Sequence, residues 1–259
     1  MIFAARRRTL AAASIAIVFA MGAPGEATAE PPVVAVAANY TIAAERIAAA
    51  FTEKTGEEVK LTTGSTGKLY AQIRAGAPFA VMLSADAATP ERLEAEGLAA
   101  KGSRFTYAFG QLVLWSADEG RFGDGLAAAL NDPSVRHVAI ANPDLAPYGA
   151  AAREALTALG LWEGVRPKIV MGENIGQTFA LVESGAAAVG FVALSAVRPP
   201  GAPPQGSLIR VPKGAYAPIR QDAVLLLPGA EDETAKAFLA FLGGETARAI
   251  TAAFGYGVE

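Results

Sequence analysis

The sequence predicts an α/β protein of two lobes that face each other across a ligand-binding cleft. Two observations carry that prediction. Apolar, strand-like runs alternate with helical stretches along the chain, the pattern of mostly parallel sheets covered on both faces. Four strand-to-helix junctions are built from small or polar residues, two early in the chain and two late. Such a junction aims free backbone N–H groups and the positive end of a helix dipole beyond the strand end, where open α/β sheets bind ligands.

The first 29 residues read as an export address. Arg6, Arg7 and Arg8 form a basic start, Leu10 to Ala23 an apolar core short for a membrane span, and Ala27-Thr28-Ala29 a small-x-small cleavage site. The adjacent arginines are a poor match to a twin-arginine signal, which favours ordinary secretion into the periplasm. The mature chain then starts at Glu30 and has about 230 residues, enough for one large or two small cores. It keeps 19 basic against 24 acidic side chains, a net charge of −5, which offers no electrostatic footprint for nucleic acid or an anionic membrane. There is no cysteine, hence no disulfide framework and no thiolate metal site.

Expected strands, in order, are 33–38, 58–63, 79–84, 111–115, 137–141, 168–171, 188–193, 208–212 and 222–227. Helices are expected near 41–54, 67–75, 90–97, 149–159, 176–184 and 231–254. Thr89-Pro90 places a cap before a first-turn proline, and Gly160 and Gly185 sit just past helix ends. Pro199 to Pro204 reads as an extended surface loop, since sheet-like sequence resumes at Leu208.

The first junction is Val33 to Ala38 running into Asn39-Tyr40-Thr41. The second, Gly64-Ser65-Thr66-Gly67, adds two hydroxyls to its backbone amides, so an anion fits there without lysine or arginine. The third is Asn142 to Gly149 and the fourth Gly172-Glu173-Asn174-Ile175-Gly176. Each has a plainer reading: Ser65 and Asn39 are also ordinary helix caps. A phosphate loop at Gly64 to Lys68 is disfavoured, because Thr62 stands at its leading glycine and Leu69 at its metal-binding hydroxyl. An enzyme with Ser65 or Thr66 as nucleophile lacks a base: the single histidine, His137, precedes its strand, and no Gly-x-Ser-x-Gly elbow occurs. Lys68 and Arg153 read as solvated helix-face charges.

In order, the chain carries Ala38-Asn39-Tyr40, Phe51-Thr52-Glu53-Lys54-Thr55-Gly56, Gly64 through Ile73, Gly76-Ala77-Pro78-Phe79, Leu83-Ser84-Ala85-Asp86, Asn142-Pro143 through Tyr148-Gly149, and Ala180 to Gly185. That ordered set resembles the periplasmic molybdate-binding component of bacterial ABC transporters, a type II periplasmic binding protein, over nearly all of the mature chain. The resemblance implies residues 30–113 and 220–259 as one lobe, 114–219 as the other, and an oxyanion between them. It implies donors at Ala38 and Asn39, at Ser65 and Thr66, and at the backbone N–H groups of Tyr148 and Ile175. Many members add a tyrosine hydroxyl on a late strand, where this chain has Ala193. The resemblance also implies a monomer that has no cofactor, holds molybdate or tungstate through its oxygens, and serves an ABC permease of the inner membrane. Sulfate, phosphate or a small carboxylate on the same scaffold is the alternative.

Overall fold

The computed structural model describes residues 30–123 and 125–258; the expected export segment, residues 1–29, lies outside them. Among the described residues the strands are β1 Val33–Ala37, β2 Lys60–Gly64, β3 Phe79–Leu83, β4 Phe105–Gly110, β5 Leu112–Ser116, β6 Val138–Ala141, β7 Ile169–Gly172, β8 Val189–Ala193, β9 Ser207–Arg210 and β10 Ile219–Leu225. The helices are α1 Thr41–Thr55, α2 Thr66–Arg74, α3 Ala88–Ala95, α4 Leu126–Asn131, α5 Pro147–Ala158, α6 Trp162–Val165, α7 Ile175–Glu183, α8 Leu194–Val197, α9 Glu233–Leu242 and α10 Glu245–Ala253.

The strands form two five-stranded sheets with the same plan, β2-β1-β3-β10-β4 and β7-β6-β8-β5-β9. Pairing is parallel among β1, β2 and β3 and among β6, β7 and β8, and antiparallel on both sides of β10 and of β5. Each sheet is therefore mostly parallel, with one reversed strand. That reversed strand is the one delivered from the other lobe: β4 leads into β5 through Gln111, and β9 leads into β10 through residues 211–218. Leu112 and Val113, expected in the first lobe, accordingly belong to the second sheet.

Side-chain alternation shows why both faces are covered. In the first sheet Val34, Val36, Val81 and Leu83 enter a core with α1 and α9, while Ala35, Met82 and Val224 enter another with α2 and α3. In the second, Leu112, Leu114, Val138 and Ile140 pack toward α5, while Val113, Trp115 and Ala139 pack toward α7. Residues of the inner strands β1, β3, β5, β6, β8 and β10 are nearly all buried and read as apolar runs, whereas the edge strands β2, β4, β7 and β9 are largely part-exposed.

Three features depart from expectation. β4 was not anticipated, and neither were the short helices α4, α6 and α8. The helix expected over 231–254 is two helices, because Gly243 ends α9 and Gly244 starts α10. Asp232 caps α9 by accepting from the Ala235 N–H.

Candidate functional site

All four junctions lie at the C-terminal ends of paired parallel strands. Ala37 of β1 is in register with Gly64 of β2, and Ala141 of β6 with Gly172 of β7. The lobes meet along these ends. The Gly67 N–H donates to the Leu145 carbonyl at 2.9 Å, joining the second junction to the third. A Cβ on Gly67 would stand 3.1 Å from that carbonyl oxygen, which explains the glycine. The Ala38 methyl lies 3.9 Å from where a Cβ on Gly176 would be, joining the first junction to the fourth. Lys68 Nζ reaches Glu173 Oε2 at 2.6 Å across the cleft mouth; both side chains are about half exposed.

The first turns of the helices decide which amides are free, since those N–H groups lack intrahelical acceptors. In α2, Gly67 N–H is taken by Leu145, Lys68 N–H by Ser65 Oγ and Leu69 N–H by the Ser65 carbonyl, which leaves Thr66. In α5, Pro147 has no N–H and Gly149 bonds Ala146, which leaves Tyr148. In α7, Asn174 accepts from Gln177 and Thr178, which leaves Ile175 and Gly176. The Ala38–Tyr40 segment is a single 3-10 turn, so its leading amides at Ala38 and Asn39 are likewise without partners in the turn.

Two hydroxyls join them. Ser65 Oγ accepts the Lys68 N–H and Thr66 Oγ1 accepts the Ala85 N–H at 3.2 Å, so each keeps its own proton to donate. Ser65, Thr66, Tyr148 and Ile175 are buried, and none of the six residues singled out by sequence is charged. The set thus presents neutral donors at helix N-termini, a combination suited to a desolvated anion.

Asn39 caps neither the 3-10 turn nor α1. Its Nδ2 lies 2.8 Å from Gln221 Oε1 and 3.2 Å from Tyr256 Oη, and its buried Oδ1 has no partner. Gln221, fully buried on β10, also touches the Tyr107 hydroxyl at 3.1 Å and, across the lobes, the Tyr148 hydroxyl at 3.2 Å. Ser195 of the second lobe bonds Tyr256 at 2.8 Å. Burial raises the pKa of Tyr107, Tyr148 and Tyr256 above the ordinary phenol value, so the network carries no charge at neutral pH. Sequence reasoning missed Gln221, Tyr107, Ser195 and Tyr256; single polar residues without characteristic spacing give no signal. A cavity of about 120 Å³ borders this network, lined by Ala38, Asn39, Ile175, Ala193 and Tyr256 among others.

Lys68 and Arg153 are exposed as expected, although Lys68 forms the cleft-mouth ion pair and Arg153 lies 3.7 Å from Asp144. His137 is exposed just before β6. Among the described residues, no group of three or more His, Cys, Asp or Glu could hold a metal ion, and no helix is long and apolar enough to cross a membrane.

Comparison with known proteins identifies the family. The profile of the bacterial extracellular solute-binding protein family matches residues 32–257. The molybdate-binding protein ModA of Rhodobacter capsulatus is 48% identical over 252 residues, covering 97% of this chain and 98% of the relative. ModA of Azotobacter vinelandii is 48% identical over 226 residues, covering 87% and 89%. The solved structure of an Azotobacter vinelandii periplasmic molybdate-binding protein superposes with a TM-score of 0.85 at 41% identity, covering 88% of this chain and 99% of that one. The chain belongs to the bacterial extracellular solute-binding protein family, in the group that contains the molybdate-binding protein ModA.

Proposed function

We propose that this chain binds molybdate, and tungstate with it, between its lobes and delivers the ion to an ABC-type permease. The observation that carries the reading is the meeting of the second junction with the third and of the first with the fourth, with free amides and hydroxyls on neutral residues while the carboxylates of Asp144 and Glu173 face Arg153 and Lys68. A deprotonated tetrahedral dianion offers only acceptor oxygens, and such a donor set answers it without a counter-cation. Hydrogen bonds to a charged group contribute about 1.5–3 kcal/mol each, so several preorganised donors suffice for tight binding. A carboxylate-lined site would repel the same ion. Discrimination against sulfate rests on size, because a smaller ion leaves some donors stretched or unpaired.

Ala38, Asn39, Ser65, Thr66, Tyr148 and Ile175 are the proposed ligand contacts, with the metal held only through its oxygens and no cofactor. The protein acts as an exported periplasmic monomer, and the approach of the two lobes is the signal the permease reads. The relatives' names as molybdate-binding proteins support the ligand.

Calorimetric titration of the mature protein with molybdate, tungstate, sulfate and phosphate tests the ligand. One-to-one molybdate binding that excess sulfate does not displace is the expected result. Binding of sulfate or phosphate in its place retains the site and replaces the ligand. Stimulation of permease ATPase activity in proteoliposomes by the loaded protein, and not by the empty one, tests the partner.

A further inference from the structure

We infer that Gln221 is a positioning residue that turns the Asn39 side-chain amide donor-first toward the bound oxyanion, and that the Tyr148 hydroxyl sets this orientation when the lobes meet. The inference rests on the oxyanion reading of the site and goes beyond it, since Gln221 touches none of the proposed contacts' free amides.

With Asn39 Nδ2 toward Gln221 Oε1, three groups are poorly served. Asn39 Oδ1 is buried with no partner. The Tyr148 hydroxyl meets the Gln221 Nε2 donor at 3.2 Å and also interacts with the Asn39 side chain; in this arrangement both face it with N–H groups, so its own proton has no acceptor. The Tyr107 hydroxyl has one proton between two acceptors, the Ser84 carbonyl at 2.9 Å and Gln221 Oε1 at 3.1 Å. The oxygen and nitrogen of a carboxamide exchange places on a half-turn with almost no change in shape.

Turning both amides together gives the Tyr148 proton an acceptor and relieves Tyr107, and moves the shared proton to Tyr256. Tyr148 then donates to the Gln221 oxygen. The Gln221 NH2 group donates to the Asn39 oxygen and to the Tyr107 oxygen, and Tyr107 gives its proton to Ser84. Tyr256, already bonded to the Asn39 main-chain carbonyl, shares its proton with the Asn39 side-chain oxygen. One polar group is left over, the Asn39 NH2 with its two N–H bonds, in the buried place that Oδ1 held, on a residue that lines the cavity. An unpaired buried acceptor has become an unpaired buried donor, which is what an anion requires.

The two amides must turn together because they face each other at 2.8 Å. What drives the turn is the Tyr148 proton, and Tyr148 belongs to the other lobe, on α5. Joining the lobes therefore both completes the ring of main-chain amides and orients a side-chain donor on the opposite side. A ligand that presents a proton toward Asn39 is discriminated against in the same step.

Double-mutant cycles on oxyanion affinity test this. Gln221→Glu keeps the shape but can only accept from Asn39, and Tyr148→Phe removes the driving proton while keeping the Tyr148 amide. We expect a molybdate affinity loss of about tenfold or more for the first and about three- to tenfold for the second. Both losses should nearly vanish in an Asn39→Ala background. Equal losses in both backgrounds overturn the inference, since general destabilisation or repulsion by the new carboxylate does not depend on Asn39. Should the variants not fold, NMR of the wild type with molybdate decides: Gln221 amide protons close to the Tyr107 ring support the turned state, and proximity to the Tyr148 ring overturns it. If the wild type binds no oxyanion, the reading of the site fails; if it binds and the cycle is additive, only the role of Gln221 fails.

Discussion

Replacing Gly110 by alanine puts a methyl group into the slot that Tyr148 occupies when the lobes are together. The added Cβ would stand 2.8 Å from both Tyr148 Cζ and Gln221 Nε2, and nearer still to the Tyr148 hydroxyl oxygen. Gly110 is not among the glycines with positive φ, so its backbone accepts alanine without strain. It ends β4 in the first sheet, whereas Tyr148 lies on α5 of the second lobe. The contact with Tyr148 burdens only the joined state, while the one with Gln221 lies within the first lobe and falls on the far end of a flexible side chain. Overpacking by one methylene costs about 1–3 kcal/mol. If only the joined state holds the ion tightly, apparent affinity falls in proportion to the population lost, about 5- to 150-fold. Titration calorimetry with molybdate reads the loss, and a urea transition that moves little confirms that the lobes still fold. Affinity within twofold of wild type in a folded Gly110→Ala protein would refute the reasoning, because Tyr148 would then have no need of that slot.

Thr66→Ala removes a hydroxyl proton from the proposed anion shell and should weaken molybdate binding by about 1.5–3 kcal/mol in the same assay. Glu173→Gln breaks the cleft-mouth pair with Lys68; both partners are about half exposed, so affinity should drop less than about threefold and the drop should vanish at high salt. The Lys68 hydrogen bond lowers the Glu173 pKa, so this contribution is present at neutral pH and is lost only as pH falls through and below the usual carboxylate range, which titrations at descending pH check. Arg104→Ala strips the 2.8 Å partner from buried Asp222, leaving Thr106 and the more distant Arg220, and should cost about 3 kcal/mol of stability by urea denaturation.

Much of this architecture is legible in the sequence for local reasons. Two of the junctions announce themselves because Ser65 and Asn174 are short polar N-caps, whereas Tyr40 and Ala146 precede α1 and α5 without a cap bond. β4 escaped because Phe105 to Gly110 mixes aromatics with polar residues and glycine, and its sheet neighbour, β10, lies more than a hundred residues away. The helix over 231–254 was read as one because apolar periodicity continues through Gly243 and Gly244, where the break is a matter of two missing side chains. Asn39 stands among the expected site residues, but its bonds to Gln221 and Tyr256 are not legible in the sequence. Gln221, Tyr107 and Tyr256 come together only through the pairing of β4 with β10 and of Phe109 with Gly257 near the chain end.

The exchange of one strand between sheets has a consequence for the order in which the chain can fold. In the first sheet β4 pairs only with β10, and β10 separates it from β3. β10 follows β4 by more than a hundred residues, so β4 waits for most of the chain before its only partner arrives. Until then β3 and β4 both present unpaired edges, and the cores on both faces of that sheet lack Ala223, Val224 and Leu225. The second sheet waits less, since β5 is made before the strands it joins. A stalled or truncated chain ending before residue 219 therefore lacks β10, α9 and α10, and β4 has no partner, so the last forty residues decide when the protein commits to its native form.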